Sequence, residues 1–313
     1  VYELAGGIVL GGALGANDAA NVFGTAVASH MVRLRRAVAI TAVLVVAGAV
    51  LGGAPGIRTL GGMTDQTAWS AMVVSVVAGL TVLGMTALRL PVSTSQAVVG
   101  AILGMGLYID PAGVRWAALG KVVACWVGTP VGAAVFAATA YPTLGWALDR
   151  LRLNIVWRSI VLRSSLLAAG AYGAYALGAN NVANVTGVFY GTGVLDGLHG
   201  RQYLLALVGG LAIAGGVVAF GKAVMFTVGR DLVKLGAFAA LVAVLAEAVT
   251  VHVYSFVGVP VSTSQAVVGA VLGIGLSRGA RTVHARVLLR IVAGWLATPA
   301  VAGAICYAAA AVL

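Results

Sequence analysis

The sequence PVSTSQAVVGA occurs twice in this chain without a difference, at Pro91–Ala101 and again at Pro260–Ala270. Two further echoes set the register of the repeat. Gly15-Ala16-Asn17-Asp18-Ala19-Ala20-Asn21 returns as Gly178-Ala179-Asn180-Asn181-Val182-Ala183-Asn184, and Trp126-Val127-Gly128-Thr129-Pro130 returns as Trp295-Leu296-Ala297-Thr298-Pro299. A repeat of this length constrains the fold more than any local propensity, because each copy must build the same unit. The chain therefore divides into a first repeat over 1–149, a basic linker over 150–162 and a second repeat over 163–313.

The units belong in lipid. Of 313 residues, 61% are hydrophobic and 9% charged, and the mean hydropathy is +1.05, a profile outside the range of soluble domains. Apolar runs near 37–54, 67–88, 122–141, 203–219, 236–257 and 291–313 are each long enough to cross a hydrocarbon core. The first stretch, Val1–Leu14, carries Glu3 and runs into the polar Asn motif, so it reads as the start of a helix rather than a signal peptide. Abundant glycine and alanine suit closely packed membrane helices, and the alternating ten-residue segments of a membrane β-barrel are absent. Cys125 and Cys306 lie in apolar spans without ligand spacing and read as packing residues.

The formal charge of +11 reports orientation here, not affinity for nucleic acid, because cytoplasmic loops of membrane proteins collect Lys and Arg. With the Arg33, Arg35, Arg36 loop inside and each apolar segment changing sides, 15 basic residues fall inside and 4 outside. The outside four are Arg58, Arg115, Lys121 and Arg201, accompanied by Asp65, Asp110 and Asp196. Arg89, Arg230, Lys234, Arg281 and Arg286 are among those inside. Each half then crosses an odd number of times, so the second half enters inverted and both termini are extracellular. The expected fold is an all-α polytopic membrane protein of two inverted-topology repeats, with about ten net crossings and broken or re-entrant helices. Residues 1–32 and 164–195 are too long for one straight crossing, which suggests a break at each Asn motif.

The motifs carry the chemistry. In PVSTSQ, proline followed by Ser and Thr reads as a helix N-terminus with its caps. Such an end offers free N–H groups and the positive pole of the helix dipole, to which hydroxyls and amides add neutral donors. Ser93, Thr94, Ser95 and Gln96, with Ser262, Thr263, Ser264 and Gln265, are therefore the candidate anion cradle. A lone hydroxyl in a membrane helix usually just bonds back to the preceding turn, but this cluster is duplicated whole. The Asn motifs supply the hard oxygens a cation needs: Asn17, Asp18, Asn21, Asn180, Asn181 and Asn184. Asp18 and Glu247 are the acidic residues well inside membrane-depth segments, where an ionisable group is costly and so invites a functional reading. Glu247, whose counterpart is Ala78, reads equally as a cation ligand or as a buried, hydrogen-bonded acid. No Lys or Arg belongs to the repeated motifs, so an anion held there needs co-bound cations to balance it. His30, His199, His252 and His284 show no ligand spacing, the Trp residues read as packing or interface anchors, and Thr129 and Thr298 only precede helix-bending prolines.

GANDAANVFGTAVAS with its second copy, together with the doubled PVSTSQ, resembles the inorganic phosphate transporter (PiT) family, over both halves of the chain. The resemblance implies a symporter of inorganic phosphate, with the Ser-Thr motifs at the anion and the Asn-Asp motifs near anion and cations. Asn181 stands where many members have a second aspartate, and Gln96 and Gln265 stand where others have histidine. Neutral glutamines remove a proton acceptor, which favours Na+ over H+ as coupling ion, with sodium at Asn17, Asp18, Asn180 and Asn181. Expected partners are phosphate, the cation, the bilayer and, as a homodimer, a second copy. The alternatives are a sulfate permease of the same fold and a passive anion channel. An enzyme is disfavoured by the lack of HExxH, GxSxG or neighbouring acids in the sequence.

Overall fold

The computed structural model of the chain describes residues 2–88, 92–194, 200–232, 236–279 and 285–312. Arg89, Pro91, Asp196, His199, Lys234, Arg281 and His284 lie outside the described residues, as do the side chains of Arg201, Arg230 and Arg286. The described residues form eleven α-helices and no strand: α1 (Leu4–Ala28), α2 (Leu34–Gly52), α3 (Ala54–Gly61), α4 (Ala68–Ala87), α5 (Thr94–Ile109), α6 (Trp116–Arg150), α7 (Ile155–Thr186), α8 (Arg201–Leu232), α9 (Ala237–Val257), α10 (Thr263–Ser277) and α11 (Ala285–Val312). Seven are long and apolar enough to cross a membrane, and six of these coincide with the expected spans. Within the expected linker the actual connection is only 151–154, where Asp149 pairs with Arg158 at 3.2 Å; α7 already begins at Ile155.

Local chemistry explains where the helices start and stop. Thr67 and Ser70 form a capping box at the start of α4, and Asn154 caps α7 through the Trp157 N–H. Gly258, at φ 78°, supplies the left-handed residue that ends α9. Pro55 has no N–H and lies in the first turn of α3, where that donor would be unpaired anyway, so it marks a new helix start after α2 ends at Gly52. The second repeat has no proline there, and α8 runs through.

The expected break at the Asn motifs does not occur. Both α1 and α7 run unbroken through them. Neither helix contains proline, and the Asn side chains find partners on other helices, so the backbone has no reason to open. Gly15 and Gly178, at the head of each motif, serve close approach instead of unwinding. A Cβ on Gly15 would strike the Ile213 carbonyl on α8, and one on Gly178 the Val45 carbonyl on α2.

The repeats interlock rather than sit side by side. Helix α1 packs on α8 and α7 on α2, while α5 packs on α11 and α10 on α6. Each pair joins the two halves, and each maps onto the other under the sequence repeat. The contacts match residue by residue: Gly100 lies against the Pro299 carbonyl, and Gly269 against the Pro130 carbonyl. Thr129 and Thr298 bond back to the Cys125 and Gly294 carbonyls, at 2.6 and 2.7 Å. They shape α6 and α11 at this seam, in keeping with the structural reading.

At one end of the bundle, Arg115 donates to the Gly62 carbonyl and pairs with Asp65. Arg58 meets Gln202, Lys121 donates to the Val257 carbonyl, and Pro55 and Thr59 pack near Gly258. Arg58, Asp65, Arg115 and Lys121, all assigned to one side by the charge count, thus gather around α3. Outward-facing Val43, Leu80, Val127, Val131, Leu211 and Leu296 are exposed, as side chains facing lipid should be. Trp126 and Trp295 are buried, whereas Trp69, Trp116, Trp146 and Trp157 are exposed.

Candidate functional site

Both PVSTSQ motifs end as helix N-termini. Ser93 and Ser262 are the extended N-cap residues of α5 and α10, and their hydroxyls accept from the Gln96 and Gln265 N–H groups, at 3.4 and 3.3 Å. Ser93, Ser95, Gln96, Ser262, Thr263 and Gln265 are buried, and Thr94 and Ser264 half-buried. In each copy the glutamine Oε1 is buried with no hydrogen-bond partner. Two buried acceptors at equivalent positions, each beside a helix N-terminus, are a costly arrangement for a core that binds nothing.

The Asn helices meet the second of these cradles. Asp18 on α1 is buried and accepts three hydrogen bonds: from Asn181 Nδ2 on α7 at 2.8 Å, from the Thr263 hydroxyl on α10 at 3.2 Å, and from Asn17 Nδ2 at 3.1 Å. Asn21 donates in turn to the Thr263 hydroxyl at 3.2 Å. Asn180 makes a two-bond clasp with the backbone just before α10. Its Nδ2 donates to the Val261 carbonyl at 2.8 Å, and its Oδ1 accepts from the Val261 N–H at 2.9 Å. Asn180 Nδ2 also donates to Asn181 Oδ1 at 2.7 Å. Asn184 Nδ2 reaches the same Asn181 oxygen at 3.5 Å, and its own Oδ1 is unpartnered.

Glu247 on α9 is buried and interacts electrostatically with Asp18. Among the described residues it makes no hydrogen bond. The sequence showed no neighbouring acids because these two are far apart along the chain; the fold brings them together.

Hydrogen bonds therefore join Asn17, Asp18, Asn21, Asn180, Asn181, Asn184 and Thr263 in one group, with Ser262 and Gln265 in the adjoining turn of α10 and Glu247 interacting electrostatically with Asp18. Among the described residues no hydrogen bond joins the first cradle to it: there Ser93 bonds to Ser95, at 3.2 Å, and to the Gln96 N–H. Sequence reasoning missed Val261, whose backbone the Asn180 clasp uses. The signal was present, since valine is part of the doubled motif, but an apolar side chain does not advertise a backbone role. His252 is packed among Tyr172, Tyr175 and Phe256, with Tyr172 Oη 2.8 Å from its Nδ1, a structural setting as expected; His30 sits in the exposed turn after α1.

Chemically, the group offers carboxylate, amide and hydroxyl oxygens, the hard donors that suit alkali cations. Two helix N-termini supply neutral donors for an anion. Among the described residues no cluster of His, Cys, Asp and Glu could hold a transition metal.

The profile of the phosphate transporter family matches residues 14–163 and residues 153–306. A protein of Methanocaldococcus jannaschii named "Putative phosphate permease" is 26% identical over 289 residues, covering 92% of this chain and 89% of its own length. A sulfate permease of Bacillus subtilis is 28% identical over 300 residues, covering 94% of this chain and 82% of its own. Among solved structures, a sodium-dependent phosphate transporter superimposes with a TM-score of 0.86 at 25% identity, covering 99% of this chain and 97% of that one. With spans, interlocked repeats and a buried polar group between them, the chain is a multi-pass membrane protein and belongs to the phosphate transporter family.

Proposed function

We propose that the chain is a cation-coupled symporter that carries inorganic phosphate across the membrane by alternating access, with sodium as coupling ion. Its two repeats have inverted topology, with about ten net crossings and both termini extracellular. The observation that carries this reading is Asp18, a buried carboxylate at the junction of α1, α7 and the cradle of α10. An acid there, beside Glu247 and without a basic partner among the described residues, calls for a cation; an anion held by neutral donors needs the same cation. Binding of each then favours the other, which is the thermodynamic content of coupling.

Phosphate is favoured over sulfate by the unpartnered oxygens of Gln96 and Gln265. Phosphate at neutral pH carries P–OH donors that such acceptors satisfy, whereas sulfate only accepts. The sulfate permease relative makes sulfate the second reading. Radiolabelled uptake into proteoliposomes separates them: phosphate uptake is expected to persist in excess sulfate, and sulfate uptake indifferent to excess phosphate would overturn the assignment. Ser93→Ala and Ser262→Ala should each reduce uptake roughly 10- to 100-fold at unchanged expression, the value of one hydrogen bond to a charged ligand. Wild-type uptake in both would remove the cradles from the account.

A further inference from the structure

The groove between α2 and α7 takes no part in the polar group, and both its shape and its charge point to a ligand. It has a volume of about 690 Å³ and is walled by Ile40, Val43 and Leu44 of α2 and by Leu167, Ala168 and Ala171 of α7. Val43 is 68% exposed and Ala168 is exposed, so the groove opens outward from the bundle. The two helices run parallel: Gly48 lies against the Tyr175 carbonyl and Gly52, one turn on, against Ala179. Followed back along both helices, that register sets Leu44 level with Ala171, Ile40 with Leu167 and Arg36 with Arg163. The apolar walls therefore end, one turn later, between two arginines. Arg33 and Arg35 stand beside them, and all four are exposed. None of the four pairs with an acid among the described residues; Asp149, just before α7, pairs with Arg158 instead.

We propose that this groove binds an anionic phospholipid, with an acyl chain along Ile40 and Leu167 and the phosphate between Arg36 and Arg163. An apolar groove that opens outward from a membrane bundle suits a lipid tail, and guanidinium groups bind phosphate oxygens through paired N–H donors. Arginines without an acid to balance them favour a headgroup of net negative charge over a zwitterionic one. The charge count assigns this end of the bundle to the cytoplasmic side, where membrane surfaces carry a negative potential. A second copy of the chain is a poorer occupant. A two-fold axis along the membrane normal would bring the arginine ends of both grooves together, and like charges set opposite one another are unfavourable. The site depends on the chain's place in the membrane and not on which ions it carries.

Native mass spectrometry of the purified protein in detergent, titrated with phosphatidylglycerol or with phosphatidylcholine of the same chains, reads the site without any transport assay. Phosphatidylglycerol is expected to bind about tenfold or more tighter, and Arg36→Gln with Arg163→Gln to abolish that preference. Arg150→Gln with Arg152→Gln, an equal loss of charge at exposed positions around the end of α6, should keep it. Ala168→Phe fills the groove and should weaken both lipids at unchanged elution. Equal affinity for the two lipids, a preference that survives Arg36→Gln with Arg163→Gln, or one lost in Arg150→Gln with Arg152→Gln overturns the site. Glycerol 3-phosphate, which carries the headgroup charge without a chain, should not displace the lipid. Displacement by it would assign the arginines to a free anion, and a dimer that Ala168→Phe dissociates would assign the groove to a second copy; either result overturns the lipid.

Discussion

Asp18→Asn is expected to reduce phosphate uptake by roughly 10- to 100-fold while the protein still expresses and elutes as a single species. The carboxylate accepts from Asn181, Thr263 and Asn17 on three sides. An amide in its place keeps the shape but removes the charge, and one of its two ends presents donors to groups that are themselves donors. A hydrogen bond to a charged group is worth about 1.5–3 kcal/mol, which sets the size of the loss. The more specific expectation concerns the cation. Apparent sodium affinity should fall with the charge, and Glu247→Gln should shift it in the same direction by less, because Glu247 acts beside Asp18 and not in the cradle contact. Uptake measured against sodium concentration in proteoliposomes separates the two effects. Wild-type sodium dependence in Asp18→Asn would remove the residue from the cation site.

Gly178→Val is expected to abolish assembly rather than transport alone. A Cβ at this position would run into the backbone of α2 at Val45, where no side-chain rotation gives relief. Overpacking typically costs about 1–3 kcal/mol where neighbours can shift, and a clash with helix backbone belongs at or beyond the upper end. Since α1 and α8 repeat the contact at Gly15 and Ile213, Gly15→Val should fail in the same way. Gly215→Ala, on α8 with no atom near its would-be Cβ, is the control and should leave the thermal midpoint unchanged or slightly raised. Monodisperse yield and thermal unfolding in detergent report the outcome; a well-behaved Gly178→Val protein would refute the interlocked packing.

Much of this architecture is written in the sequence, because duplication doubles every signal. The repeat, the apolar spans and the N-caps at Ser93 and Ser262 follow from pattern and cap chemistry, which act locally. Two features could not be read that way. Continuity of α1 and α7 depends on partners elsewhere in the chain: the polar residues at Asp18 and Asn180 suggest a break only until Asn181 and Thr263 are seen to satisfy the first and Val261 the second. The nearness of Glu247 to Asp18 is likewise a product of tertiary packing. The unlike bonding of the two PVSTSQ motifs is of a third kind: Val261 and Thr263 bond to the Asn helices, and identical residues carry no information about which copy does so.

The most direct test of the central claim is accumulation of radiolabelled phosphate by proteoliposomes holding this protein, with sodium and pH gradients imposed separately. The account predicts that an inward sodium gradient drives internal phosphate above its external concentration, and that abolishing the gradient reduces uptake to equilibration. Phosphate accumulation that persists with every cation gradient removed, or equilibration that no gradient can drive uphill, would contradict it.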